Sequence, residues 1–67
     1  MNVTVNNALY DFEENAGLEQ ILEQLRIEET KGVALALNEE IIPKSEWPNT
    51  KITEGDKIII IGAVAGG

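Results

Sequence analysis

The sequence predicts an α+β fold, a mixed sheet of four to five strands with one helix packed on one face. Three observations carry that prediction. Met1, Val3 and Val5 alternate with Asn2 and Thr4, the period of a half-buried strand. Leu18, Ile21, Leu22 and Leu25 then recur at i, i+3, i+4, i+7 with Glu19, Gln20, Glu23 and Gln24 between them, the stripe of one amphipathic helix. Aliphatic runs at residues 33–37 and 41–42 follow, and the last of them is four consecutive isoleucines at residues 58–61.

Residues Met1 to Phe12 read as a hairpin. Asn6 and Asn7 tolerate a left-handed backbone and serve as its turn. Val5 then faces Ala8, Val3 faces Tyr10 and Met1 faces Phe12, which places all six on one side. Asn15 is a candidate helix N-cap. The helix of two to three turns is too short to stand alone in water, so its apolar stripe must cover a sheet. The polar stretch Glu28 to Gly32 closes the helical region, with Gly32 at the bend. Val33 to Leu37 forms a third strand, with its larger side chains toward the helix. Asn38-Glu39-Glu40 is a turn, and Ile41-Ile42 is a short strand stopped by Pro43. Residues 44–53 show little periodicity, with Trp47 and Ile52 as their anchors into the core. Glu54-Gly55-Asp56 makes a second turn before the final strand.

Four isoleucines in a row leave neither face of that strand polar, as in a central strand covered on both sides. One helix covers only one face. Two of the isoleucines, Ile59 and Ile61, would then lie with Thr4 and Leu9 on an open apolar surface, the mark of a partner site on a small domain. The competing arrangement folds residues 44–53 over that face. The element order has a natural solution with the first and last strands parallel at the centre and the helix crossing one face. That is the β-grasp, or ubiquitin-like, arrangement, over residues 1–62.

Composition narrows the function. The chain has 67 residues, enough for one domain with a modest core and no deep enclosed site. With 43% apolar residues it lies outside the disordered regime. It contains no cysteine and no histidine, which removes thiol nucleophiles, thiolate metal sites, histidine acid–base pairs and disulfides. The net charge of −7 repels phosphate backbones and favours basic protein partners, so no nucleic-acid partner is expected. No apolar window is long enough to span a membrane, and no secretory signal is expected, so the expected location is cytoplasmic. Hydrolysis by the carboxylate pairs Glu13-Glu14 or Glu39-Glu40 is disfavoured, since both pairs fall at turns without a pocket to separate their pKa values.

The chemistry is expected at the C-terminus. After Gly62, residues 63–67 read Ala-Val-Ala-Gly-Gly, a flexible tail without charge or long side chain. Glycine lets a backbone enter a narrow cleft, and Gly67 presents an unhindered carboxylate. Extended, Val64, Ala65, Gly66 and Gly67 reach about 13 Å beyond the folded body. A carboxylate is unreactive until activated, and a partner must supply that activation.

Met1-Asn2-Val3-Thr4-Val5-Asn6, the helix 18–25, Ile42-Pro43-Lys44-Ser45-Glu46-Trp47, Glu54-Gly55-Asp56 and Val64-Ala65-Gly66-Gly67 together resemble the sulfur carrier family of thiamin biosynthesis. The likeness runs over essentially the whole chain. It implies that an adenylating enzyme of the ubiquitin-activating type uses ATP and magnesium to convert Gly67 to an acyl adenylate. A cysteine-derived sulfur donor then yields a terminal thiocarboxylate, from which thiazole synthase takes the sulfur. The carrier itself would be no enzyme and bind no cofactor. Two further readings share the fold: the small sulfur-carrying subunit of molybdopterin synthase, and a passive binding module.

Overall fold

The computed structural model describes residues 1–62. Five strands form one sheet: β1 (Asn2–Val5), β2 (Ala8–Asp11), β3 (Ala34–Leu37), β4 (Glu40–Ile42) and β5 (Lys57–Ile61), in the spatial order β2-β1-β5-β3-β4. β1 and β5 are parallel at the centre, and the outer pairs are antiparallel. The helix α1 (Leu18–Gln24) packs on one face. This is the predicted architecture, with the strand number fixed at five.

The first hairpin has the predicted register, with Val5 opposite Ala8 and Val3 opposite Tyr10. Asn6 and Asn7 both hold positive φ, 50° and 71°, as a primed two-residue turn requires. Met1 accepts from Phe12 N–H at 2.9 Å and carries the pairing one residue further. Burial divides the six inward residues. Met1, Val3, Val5 and Phe12 are buried, whereas Ala8 and Tyr10 on the edge strand stay exposed because α1 does not reach them.

α1 starts two residues later than Asn15 suggests. The N-cap is Gly17, in extended conformation, and the Gln20 side chain accepts from its N–H at 2.9 Å. Its other end falls where the apolar stripe does. The helix closes at Leu25, before the polar stretch, because Arg26 adopts a left-handed φ of 64°. Arg26 N–H bonds Glu23 C=O and Ile27 N–H bonds Leu22 C=O, the pair of bonds that ends many helices at a glycine. Sequence rules look for glycine at that position; here arginine fills it, and Gly32 makes a later bend at φ 79°.

Residues 44–49 are not irregular. They form a 3₁₀ helix (Lys44–Asn49) that delivers Trp47 to the core, where Nε1–H donates to Ile42 C=O at 2.9 Å. Lys44 Nζ lies 5.9 Å from the centre of the Trp47 ring. Trp47 and Ile52 are the anchors the sequence indicates, each 3% exposed. They join Leu18, Ile21, Leu22, Leu35 and Ile58 in one core between α1 and the sheet. Complete burial of side chains such as Leu35 and Ile58 contributes roughly 1.5–3 kcal/mol each relative to exposure.

Candidate functional site

The register of the sheet fixes which side chains share each face. Val5 and Leu37 both pair with Ile58, and Leu35 pairs with Ile60, so these five point toward α1. Ala36 pairs with Ile59 and Ala34 with Ile61, and these lie on the opposite face together with Thr4 and its partner Leu9. Because the 3₁₀ helix packs with α1, the segment 44–53 does not fold over that face. Leu9 is 69% exposed and Ile61 54% exposed, while Ile59 is half-buried between its neighbours.

Ile41 belongs to the same surface and escaped the sequence reading. It is 60% exposed and pairs with Ala36, so that Ile41, Ala36 and Ile59 form one row across three strands. The available signal was the β3–β4 turn. Asn38 and Glu39 alone carry positive φ, 51° and 72°, and Glu40 already belongs to β4. Taking Glu40 as part of the turn leaves the register of Ile41 undefined; a two-residue turn at Asn38-Glu39 places it on the open face.

Two asparagines tie β5 to its neighbours. Asn38 Oδ1 accepts from Lys57 N–H at 3.0 Å, and Asn38 Nδ2 donates to Asp56 Oδ1 at 3.1 Å. Asp56 Oδ2 accepts from Thr53 N–H at 2.8 Å and closes the turn around Gly55. At the other end, Asn6 Oδ1 accepts from Ile60 N–H at 2.8 Å and Asn6 Nδ2 donates to Ile60 C=O at 3.4 Å. Gly62 follows with φ 145°; a Cβ there would lie 2.6 Å from Gly32 O and 2.8 Å from Val33 Cα, so the position accepts only glycine without rearrangement.

The predicted reactive end, Gly67, and the approach residues Val64, Ala65 and Gly66 lie outside the described residues. Among the described residues there is no cluster of acidic side chains suited to a metal ion, and all four carboxylates of the pairs Glu13-Glu14 and Glu39-Glu40 are exposed, with Glu40 the first residue of β4 rather than part of the turn. No helix among the described residues is long and apolar enough to cross a membrane. Among the described residues, the Met1 α-ammonium has a shifted pKa. Burial lowers its pKa, but the hydrogen bond to Asp11, with the charges of Glu14 and Asp11, outweighs burial and holds it above the ordinary value.

A five-stranded mixed sheet with a parallel central pair and one helix across one face defines a β-grasp protein of the ubiquitin-like class. The chain belongs to the ThiS family, whose sequence model spans residues 3–67. Over 67 residues it is 30% identical to the sulfur carrier protein ThiS of Escherichia coli (strain K12), covering the full length of both chains. It is 31% identical over 67 residues to a thiazole synthase of Paramagnetospirillum magneticum, of which it spans 20%. The crystal structure of the ThiS thiamine biosynthesis protein of Geobacter metallireducens superposes with a TM-score of 0.83 at 25% identity, each chain covered completely. A solution structure of a thiamine biosynthesis protein from the same organism gives 0.78 at 26% identity, covering all of this chain and 88% of the other.

Proposed function

We propose that this protein is the sulfur carrier for formation of the thiamin thiazole, with Gly67 as the group that is charged. The observation that carries the reading is the family match. It extends to residue 67 and so includes the Gly-Gly end, on a fold that leaves one apolar sheet face open. The Gly67 carboxylate attacks the α-phosphorus of ATP in the site of an adenylating enzyme of the ubiquitin-activating type, with magnesium neutralising the phosphates. Pyrophosphate leaves and an acyl adenylate remains. The terminal sulfur of a cysteine-derived persulfide displaces AMP at the acyl carbon. A thiolate then attacks the donor's own sulfur, which breaks the S–S bond, leaves a disulfide on the donor side and releases the terminal thiocarboxylate that thiazole synthase consumes.

The protein acts here as a substrate of its partners rather than as an enzyme. A chain without cysteine or histidine has no side chain suited to activate the carboxylate. Leu9, Ile59, Ile61 and Ile41 form the docking surface, and Val64, Ala65 and Gly66 thread the partner's catalytic cleft. The thiazole synthase relative favours the thiazole branch over the molybdopterin branch, because a stretch matching this whole chain lies within that protein.

Intact-mass measurement after incubation with ATP, magnesium, a cysteine-fed sulfur donor and the adenylating enzyme tests the reading. A gain equal to exchange of one oxygen for sulfur is expected, localised to the C-terminal peptide. Removal of Gly66 and Gly67 should abolish it while leaving the fold intact. An unchanged mass in the full-length chain would refute the carrier role.

A further inference from the structure

β5 is held along its whole length by β3, from Leu37 opposite Ile58 to Ala34 opposite Ile61. On its other side, β1 pairs only with Lys57 and Ile58. Thr4 N–H donates to Asp56 C=O at 3.1 Å and Asn6 N–H to Ile58 C=O at 2.9 Å, and there the β1 backbone turns away at the positive φ of Asn6. The bonds of a parallel ladder are evenly spaced, so the next groups due for pairing are the N–H and C=O of Ile60. The Asn6 side-chain amide meets both, as acceptor at 2.8 Å and donor at 3.4 Å. One side chain thus stands in for the missing stretch of strand. Two residues further on, the backbone of Gly62 lies against Gly32 and Val33, close enough to exclude a Cβ. The last two fixed points before residues 63–67 therefore lie on opposite flanks of the chain, Asn6 on the β1 side and Gly32-Val33 on the β3 side.

We propose that Asn6 is a positioning residue for acyl transfer, which fixes the root of the C-terminal tail and so sets where the terminal carboxylate arrives once the sheet face is docked. This rests on the carrier reading. Residues 63–67 are all that lies between that root and the charged group, so a displaced root shifts the volume that Gly67 can reach. A misplacement of about 1 Å can cost a reaction up to about 100-fold. Asn6 is not among the apolar side chains assigned to docking, so the effect should fall on turnover and leave affinity alone.

Asn6→Gly isolates the amide, because glycine accepts the positive φ at that turn position more readily than asparagine. Asn6→Asp keeps the acceptor for Ile60 N–H and loses the donor. Asn7→Gly changes the other left-handed residue of the turn, whose side chain makes no recorded bond to β5, and serves as control. With the full chain as varied substrate in ATP–pyrophosphate exchange by the adenylating enzyme, Asn6→Gly should lower kcat about tenfold at unchanged KM. Asn6→Asp should recover most of the loss, and Asn7→Gly should match the parent. Amide hydrogen exchange at Ile60 should rise about tenfold in Asn6→Gly, a readout independent of any partner. Parent kcat in Asn6→Gly, a loss confined to KM, or unaltered exchange at Ile60 would each overturn the positioning role. A parent chain that supports no pyrophosphate exchange would overturn the carrier reading and the positioning role with it.

Discussion

β5 presents the same residue type to two environments. Ile58 is fully buried under α1 and Ile60 packs at the edge of the same core, whereas Ile61 stands 54% exposed on the other face with Ile59 half-buried beside it. Side-chain chemistry cannot account for the difference, since all four are isoleucine. It follows from the supply of covering elements, because the described residues form one α-helix and one 3₁₀ helix and both lie on the same side. The covered face bears on whether the domain exists, and the open face on what it meets. The open apolar face is set in a chain of net charge −7, so it differs in kind from the acidic surface around it.

The contrast breaks most visibly at Ile58. Truncation Ile58→Ala should cost about 2–5 kcal/mol, a large share of a small domain's stability, and is read in urea unfolding midpoints. Ile61→Ala on the open face should stay within about 0.5 kcal/mol of the parent in the same experiment. Equal losses at the two positions would mean that the open face is covered in solution, by a second copy or by a segment outside residues 1–62.

Charge on the open face sharpens the comparison next. Ile61→Lys and Ile61→Glu should each leave the unfolding midpoint nearly unchanged and weaken binding to the adenylating enzyme by about tenfold, the loss of one well-placed apolar contact. Ile41→Glu should act in the same direction if its row with Ala36 and Ile59 belongs to the contact. The two signs at residue 61 separate mechanisms. Weakening by both marks apolar docking; stronger binding by Glu and weaker binding by Lys would assign the surface to electrostatic steering instead.

The parts of the molecule legible in the sequence are those where periodicity and turn chemistry agree. The Asn6-Asn7 turn fixes the first register because both residues accept positive φ, and the stripe Leu18, Ile21, Leu22 identifies the helix because its period differs from that of every strand. Helix ends were less legible. Gly17 caps α1 through a Gln20 side chain three residues away, and Arg26 takes a conformation usually held by glycine, so neither end carries its customary residue. The 3₁₀ helix leaves no pattern because a six-residue segment containing Pro48 buries Trp47 alone. At the candidate site, Leu9, Ile59 and Ile61 were placed on one face by parity. The Asn6 clasp was not legible, since it joins residues 54 positions apart and depends on where β1 leaves the ladder.

The smallest expected effect tests whether the covered side tolerates charge at its rim. The Met1 side chain is buried in the core, while its α-ammonium donates to Phe12 C=O at 2.6 Å and to Asp11 Oδ1 at 3.3 Å, with Glu14 Oε2 3.5 Å away. Burial alone would lower the pKa of this group; the bond to Asp11 and the charges of Glu14 and Asp11 reverse the sign and raise it above 8.0. A group whose pKa is higher folded than unfolded binds its proton more tightly in the native state. Its contribution to stability is complete below the unfolded value and is lost as pH rises through the folded one. Comparing the free chain with an Nα-acetylated chain isolates this group from the other ionisable groups, which both chains share. The free chain should unfold at higher urea near neutral pH, and the gap should narrow steadily as pH is raised above 8.0. A gap that stays constant through that range would show that acetylation acts by displacing Met1 from the core, and that the charge at the rim contributes nothing.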